Sequence, residues 1–106
     1  MYIYNTSFHV ADGVKPIFLT WLKAVFIPAA LSDGLFRRPM LTRILMEVAP
    51  GSTSYALQLY ATDLEQAREW ESTTGVHLKL SLHKKLGEQV LSFVTFMEIL
   101  SDEQSA

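Results

Sequence analysis

The stretch "MYIYNTSFHVADGVKPIFLTWL" (residues 1–22) changes its hydrophobic period partway along, and this change decides the fold. Residues 2–10 alternate and are rich in aromatic and β-branched side chains, which predicts a β-strand. "ADG" breaks the alternation, and apolar residues then recur at steps of three and four, which predicts an amphipathic helix ending near Gly34. The apolar stripe of that helix comprises Ile17, Phe18, Trp21, Leu22, Val25 and Ala29.

Four further elements follow outward from this pair. "RRPMLTRILMEVA" (37–49) and "TSYALQLYA" (53–61) flank the turn residues "PGS", which predicts two hairpin-connected strands. Asp63 is a candidate N-cap for a helix that ends at Gly87. Gly75 lies in its middle, so one helix with a weak centre and two helices in series are both open. "QVLSFVTFMEIL" (89–100) predicts a last strand.

The predicted order is strand, helix, strand, strand, helix, strand. Right-handed crossovers and unknotted connections favour an α+β fold, the ferredoxin-like βαββαβ sandwich. Its four-stranded antiparallel sheet has the order 4-1-3-2, and both helices cover one face. We expect a single domain over residues 1–100 and a polar tail over 101–106.

The composition of the chain narrows the classes of function. Among 106 residues, 49% are hydrophobic and the net charge is −2, which suits an ordinary globular domain and gives no basic footprint for nucleic acid. There is no cysteine, so disulfides and thiolate chemistry are excluded. No signal-peptide pattern is visible, and "FLTWLKAVFIPAAL" is too interrupted for a good membrane span. We expect a cytoplasmic protein with no membrane or nucleic-acid partner.

Two helices can cover only one face of the sheet, so the composition of the other face is informative. The predicted helix-facing set is Tyr4, Phe8, Ile44, Met46, Leu57, Leu59, Leu91, Phe93 and Met97. The predicted opposite set is Ile3, Asn5, Ser7, His9, Arg43, Leu45, Glu47, Ala56, Gln58, Tyr60, Ser92, Val94, Phe96 and Glu98. This second set is too apolar for water and too polar for a dry core, which favours two copies packed sheet to sheet around a partly wet cavity. The candidate dimer-interface residues are Ile3, Leu45, Tyr60, Val94 and Phe96.

The motifs "MYIYNTSFHV", "WLKAVFIPAAL", "SYALQLYA" and "HKKLGEQVLSFVTFMEIL" resemble those of an uncharacterised bacterial domain-of-unknown-function family. That family has no assigned activity. Its fold is similar to the dimeric α+β barrel superfamily, which includes antibiotic-biosynthesis monooxygenases, haem-degrading monooxygenases and stress-response barrel proteins. The resemblance implies ferredoxin-like protomers that pair sheet to sheet as a homodimer.

The candidate ligand-binding residues lie on the predicted second face. Asn5, Ser7 and His9 could hydrogen-bond a small molecule, with His9 as an acid–base group, or could belong to a partly solvated strand. Gln58 and Tyr60 could complete the same pocket, or Tyr60 could be an interface aromatic. The remaining candidate, Arg43, could anchor an anionic ligand, but a solvated charge on an edge strand is the alternative.

A haem site is an alternative that comes from the resemblance alone. The haem-degrading relatives use an asparagine on the first strand with a tryptophan and a histidine on the second helix, and Asn5 and Trp70 occupy matching places. Neither His77 nor His83 falls at the matching spacing. The alternative is a core tryptophan with surface histidines. No cofactor is therefore predicted. No metal site is predicted either, because the sequence shows no metal-ligand cluster.

Three functions remain open from the sequence. The first is a small homodimeric module that binds a small molecule in a half-polar barrel cavity. The second is a monooxygenase-like enzyme, either cofactor-free or haem-dependent. The third is a purely structural dimer whose second face is only an interface. Whether the protein is an enzyme is left undecided by these residues.

Overall fold

A computed structural model describes residues 1–45 and 50–102 of the chain. The strands are β1 (Tyr2–Ala11), β2 (Phe36–Ile44), β3 (Ser52–Ala61) and β4 (Val90–Glu98). The helices are α1 (Lys15–Trp21), α2 (Ile27–Leu31), α3 (Leu64–Trp70) and α4 (Val76–Leu86). This order confirms the predicted sequence of elements. The predicted positions of Met46 and Glu47 lie outside the described residues.

The four strands form one antiparallel sheet in the order β2-β3-β1-β4, which confirms the ferredoxin-like prediction. The central strand β1 pairs along its length with β3, from Tyr2 opposite Ala61 to Ala11 opposite Ser52. On its other side β1 pairs with β4, from Tyr2 opposite Glu98 onward. Because β1 has a neighbour on both sides, its backbone polar groups are satisfied within the sheet.

Both predicted helices are single helical segments that contain a π-helical turn. In the first segment (15–31), Leu22–Phe26 is a π turn, and the N–H of Ile27 donates to the carbonyl of Leu22. In the second segment (64–86), Glu71–Gly75 is a π turn, and the backbone remains helical from Trp70 to Val76. Gly75 therefore does not divide the second helix. Turns of this kind insert one residue into an α-helix and are frequent at functional sites.

Both helical segments cover the same face of the sheet, which we call the helix-covered face. Its core is largely aromatic: Tyr4 stacks on Phe96 with centroids 5.3 Å apart, and Trp70 meets Phe26 and Phe36 edge-on at 5.6 and 5.3 Å. Edge-to-face and offset rings are the favoured arrangements for such pairs. The largest fully buried side chains are Tyr4, Phe8, Phe18, Phe26, Phe36, Leu22, Leu57, Leu59, Val10 and Thr6.

The 20-residue helical stretch Asp12–Leu31 is long and apolar enough to cross a membrane by length and composition. In this fold, however, its inner side packs on the sheet, because Phe18, Leu22, Phe26 and Ala30 are fully buried. This buried row departs from the predicted stripe, since Ile17 and Val25 are 50% and 42% exposed. Val25 lies within the π turn, which shifts the buried face by one residue.

The predicted parity of β2 is wrong because a β-bulge interrupts the strand. Arg37 is opposite Tyr60 and Met40 is opposite Gln58, so Arg38 and Pro39 together take the place of a single residue in the pairing with β3. Arg38 has a positive φ of 56°. Beyond the bulge each side chain changes face. Ile44, predicted under the helices, lies on the opposite side with Ser54. Arg43, predicted opposite the helices, pairs with Tyr55 and lies on their side.

The predicted parity of β4 is also wrong. Thr6 is opposite Val94 and Tyr4 opposite Phe96, so Val94 and Phe96 lie on the helix-covered face. They were predicted on the other face as interface residues. Ser92 and Glu98 were also predicted on that other face, and they too lie on the helix side. Conversely, the residues predicted under the helices lie on the opposite side of the sheet, which we call the open face: they are Leu91, Phe93 and Met97.

Candidate functional site

The candidate site is a cleft between α4 and β4 on the helix-covered face. It has a volume of about 320 Å³, at the lower end of the range for small-molecule pockets. Its wall is mostly apolar. Four polar side chains interrupt it, namely Glu71, Lys79, His83 and Ser92. The apolar lining consists of Phe8, Val76, Leu80, Leu82, Val90, Leu91 and Val94.

Two of the lining residues, Glu71 and Lys79, form a hydrogen-bonded triad with Tyr4 of β1. Glu71 Oε1 accepts hydrogen bonds from the Tyr4 hydroxyl and from Lys79 Nζ, and Lys79 Nζ also donates to the Tyr4 hydroxyl at 3.3 Å. The side chains of Lys79 and Glu71 are only 11% and 17% exposed. An ion pair this buried needs close geometry and further hydrogen bonds to offset desolvation, and Tyr4 supplies them.

The surroundings of the triad change the protonation of two members. Burial, and then the Glu71 carboxylate through its hydrogen bond and its charge, raise the pKa of the Tyr4 phenol far above its ordinary value. Burial lowers the pKa of the Lys79 ammonium, against the opposing effect of Glu71. The Lys79 ammonium also lies 5.6 and 5.7 Å from the ring centres of Tyr4 and Phe26, which favours its charged form. Tyr4 is therefore a hydrogen-bond donor rather than a phenolate.

The π turn at Glu71–Gly75 brings the helix backbone close to the triad. A Cβ atom at position 75 would lie 2.8 Å from Glu71 Oε1, 3.0 Å from Trp70 Cζ3 and 3.2 Å from the Tyr4 hydroxyl. Real Cβ atoms essentially never come within 3.0 Å of such an atom. A side chain at this position would displace the Glu71 carboxylate from the triad, so the triad favours a glycine that otherwise weakens a helix.

Asn5, Ser7 and His9 lie on the open face, as predicted. The side-chain amide of Asn5 donates to Ser7 Oγ at 3.3 Å, and His9 Nδ1 lies 3.1 Å from Ser54 Oγ. Asn5 is 8% exposed, and its buried Oδ1 has no hydrogen-bond partner among the described residues. Ser7, His9 and Ser54 line a shallow hollow of about 350 Å³, whose other walls are Phe8, Ile44, Leu91 and Phe93. Ligand binding by these residues stays a prediction.

The remaining predicted residues are divided between the two faces. Gln58 lies opposite Asn5 on the open face, and Tyr60 lies opposite Ile3, with the Arg38 guanidinium 4.8 Å from the centre of the Tyr60 ring. Arg43 is separated from this group by the parity change in β2. Two interface candidates, Val94 and Phe96, are likewise on the helix side. A third, Leu45, follows the end of β2 and is 82% exposed.

The residues that the resemblance suggests for haem do not fit that group here. Trp70 packs edge-on against Tyr4 with centroids 6.0 Å apart, so it lies on the helix-covered face. Asn5 is the next residue along β1 and faces the other side of the sheet. His77 is exposed and does not line the α4–β4 cleft, whereas His83 does. The asparagine and the tryptophan cannot share one pocket.

Sequence reasoning missed Glu71 and Lys79, although a signal was present. The buried stripe of the second helical segment runs through Ala67, Gly75, Leu82 and Leu86. Positions 71 and 79 lie four residues on either side of Gly75, in line with that stripe. Two opposite charges within an apolar stripe predict a buried pair, because an unpaired charge there is costly.

Among the described residues, no group of three histidine, cysteine, aspartate or glutamate side chains could hold a metal ion.

The chain belongs to the family DUF4286, a domain of unknown function, which matches residues 1–100. No curated protein sequence matches the chain. The family assignment confirms the resemblance seen in the sequence, and it brings no activity with it.

Several solved structures share the fold at low sequence identity. A candidate antibiotic biosynthesis monooxygenase from Deinococcus radiodurans has a TM-score of 0.72 and 16% identity, covering 100% of this chain and 99% of its own. A dimeric ferredoxin-like protein from an uncultured marine organism has a TM-score of 0.65 and 13% identity, covering 96% and 97%. A candidate antibiotic biosynthesis monooxygenase from Bacillus cereus has a TM-score of 0.56 and 17% identity, covering 98% and 97%. At these identities the likeness establishes the fold alone.

Proposed function

We propose that this protein is a homodimeric small-molecule-binding protein whose ligand site is the α4–β4 cleft of each protomer. The observation that carries the proposal is the buried Glu71–Lys79 pair in the wall of an otherwise apolar cleft. An apolar pocket with a few convergent polar groups and a perturbed pKa is the usual form of a binding site. The triad of Tyr4, Glu71 and Lys79 gives a bound small molecule a fixed point of attachment in the cleft.

The cleft is favoured over the hollow on the open face because its polar lining includes a buried ion pair, whereas the described lining of the hollow carries no carboxylate or ammonium. In the hollow, His9 and Ser54 are paired with each other, and Ser7 is paired with Asn5. In the cleft, both Glu71 and Lys79 line the cavity and remain largely desolvated. Desolvated polar groups interact more strongly with a ligand, because little water has to be displaced from them.

Binding in the cleft is tested with the uncharged fluorescent probe 1-aminoanthracene. Val94 is 36% exposed and lines the cleft, so Val94→Trp fills it with a larger side chain. The matched control is Val25→Trp, at a residue that is 42% exposed on the first helical segment outside the cleft. We expect saturable fluorescence enhancement in the wild type and in Val25→Trp, and its loss in Val94→Trp. Equal binding by all three proteins would overturn this site.

Dimerisation through the open face is the second part of the proposal. Large apolar side chains are exposed there in a single chain, with Phe93 63%, Met40 50% and Leu91 43% exposed. Contiguous exposed apolar surface usually marks an interface. Two structures with this fold are described as dimeric ferredoxin-like proteins. A second copy is the partner that this face fits, since a like face offers the same apolar side chains.

The dimer is tested by sedimentation velocity at micromolar concentration. Phe93→Glu places a charge on the open face, and we expect it to convert a dimeric wild type into a monomer, because a buried unpaired charge is strongly unfavourable. Val25→Glu is the control, since it adds the same charge outside the open face and leaves the dimer intact. A wild-type protein that sediments as a monomer contradicts this part of the proposal.

Other sequence predictions stay predictions. A monooxygenase-like activity is a second candidate, supported only by the names of two structures with the same fold. A cytoplasmic location and the lack of a nucleic-acid or membrane partner rest on the sequence, and a bacterial source rests on the family resemblance. The sequence prediction that the protein uses no cofactor also stays a prediction.

A further inference from the structure

We propose that the α4–β4 cleft takes an uncharged, mostly apolar molecule that carries a hydroxyl group, held between Glu71 and Lys79. This inference rests on the proposed function and names the chemical class of its ligand. It follows from the charge balance of the cleft, from the hydrogen-bonding capacity left on these two residues, and from the character of the remaining wall.

The charge balance excludes a charged ligand. The Glu71 carboxylate and the Lys79 ammonium are in hydrogen-bonding contact and compensate each other. Among the other described lining residues, His83 alone has a basic or acidic side chain, and it is exposed to solvent. A ligand carboxylate or ammonium placed beside the pair would have no counter-charge of its own, and burying an uncompensated charge is strongly unfavourable.

The remaining hydrogen-bonding capacity selects a hydroxyl group. A lysine ammonium has three donors, and two of those of Lys79 are used by Glu71 Oε1 and the Tyr4 hydroxyl. Glu71 has two acceptor oxygens, and only Oε1 accepts a hydrogen bond from the described part of the chain. One donor and one acceptor are thus left on adjacent residues. A hydroxyl both donates and accepts, whereas an ether or a ketone only accepts.

The rest of the wall selects an apolar body for the ligand. Val76, Leu80, Leu82, Val90 and Val94 line the cleft, and Ser92 is the one hydroxyl-bearing residue among its described lining residues. Each methylene removed from water by such a wall tightens binding roughly fourfold. The volume of about 320 Å³ suits a compact molecule rather than an extended one.

The inference is tested by calorimetric titration of four ligands that share one ring. These are cyclohexylmethanol, its methyl ether, cyclohexanecarboxylate and cyclohexylmethylammonium. We expect the alcohol to bind roughly tenfold more tightly than each of the others, since a hydrogen bond to a charged group contributes about that factor. We also expect its affinity to remain unchanged up to about 0.5 M salt, where interactions between charges are screened.

A variant reverses the charge balance. Glu71→Gln leaves the Lys79 charge uncompensated, so we expect cyclohexanecarboxylate to become the preferred ligand, with its affinity relative to the alcohol rising roughly tenfold. His83→Gln is the control and leaves the order unchanged. If Glu71→Gln does not fold, the wild-type order of the four ligands and its salt dependence still decide the question.

The outcomes separate this inference from the proposed function. If the carboxylate, the ammonium or the ether binds the wild type as tightly as the alcohol, the inference is wrong while the cleft remains a binding site. If none of the four cyclohexyl ligands binds but 1-aminoanthracene does, the inference is again wrong while the cleft remains a binding site. If 1-aminoanthracene also fails to bind, the proposed function fails with it.

Discussion

On the helix-covered face of the sheet, the polar groups of Tyr4, Glu71 and Lys79 join in one buried network. On the open face, the polar groups form separate pairs, such as His9 with Ser54, among half-buried side chains. Both faces therefore carry polar residues on the same central strand. The comparison teaches that a polar residue in a strand indicates neither a site nor an interface until its neighbours on adjacent elements are known.

The largest expected difference between the faces concerns two phenylalanines. Phe26 is fully buried on the helix-covered face, and Phe26→Ala is expected to lower the free energy of unfolding by about 3–5 kcal/mol. Phe93 is 63% exposed on the open face, and Phe93→Ala is expected to change the stability of the monomer by less than about 0.5 kcal/mol. Urea denaturation at low protein concentration measures both. Equal losses would show that the open face is part of the core.

A smaller effect is expected at Gly75 beside the triad. Gly75→Ala introduces a Cβ atom 2.8 Å from Glu71 Oε1, so we expect a loss of about 1–3 kcal/mol from overpacking, although alanine is the better helix former. Gly13→Ala is the matched control, because nothing lies within 4 Å of its Cβ and its φ is not positive. Thermal unfolding of the two variants compares them. A stabilised Gly75→Ala would mean that the π turn relaxes freely.

The pH dependence of stability offers a third comparison. The pKa of Tyr4 is raised in the folded state, so between its unfolded value of about 10 and its folded value the native protein binds more protons. The stabilising contribution is complete below about pH 10 and falls as pH rises above it, by about 1.4 kcal/mol per pH unit. Burial lowers the pKa of Lys79, which acts in the opposite direction as pH rises towards its unfolded value of 10.5.

Tyr4→Phe isolates the tyrosine contribution, because Lys79 is present in both proteins. We expect the wild type to lose stability above pH 10 more steeply than Tyr4→Phe, by urea denaturation at successive pH values. Parallel curves for the two proteins would contradict burial of a neutral phenol at this position.

The last comparison concerns a single hydrogen bond on the open face. Ser54→Ala removes one partly buried hydrogen bond with His9 and is expected to cost about 0.5–1.5 kcal/mol at a concentration where the protein is monomeric. The same change should cost more when the open face is covered by a second copy, because the imidazole then loses access to water. Denaturation at two protein concentrations measures this difference. A concentration-independent loss would count against a buried open face.

Much of the fold could be predicted from local patterns. The change from period two to helical spacing gave the order of the elements, and the rules on connections then gave the sheet order that the structure confirms. On β1 and β3 the alternation also assigned the faces correctly, with Tyr4, Phe8, Leu57 and Leu59 buried. These strands are central, so one face is clearly more apolar than the other.

The two edge strands could not be assigned in the same way. In β4 the two faces are almost equally apolar, with Val94 and Phe96 on one side and Leu91 and Phe93 on the other. In β2 the bulge at Arg38 changes the parity without a hydrophobic signal. Because side chains alternate with a period of two, an error of one residue moves every later side chain to the other face.

The sequence by itself thus determined the family, the order of the elements, the sheet order and the polar character of the open face of β1. Only the tertiary structure decided the faces of β2 and β4 and the meeting of Tyr4 with Glu71 and Lys79. Those three residues come from β1, from the π turn and from α4, and Tyr4 is 67 positions from Glu71. Local patterns report the period of one element, whereas a site between elements depends on how they pack.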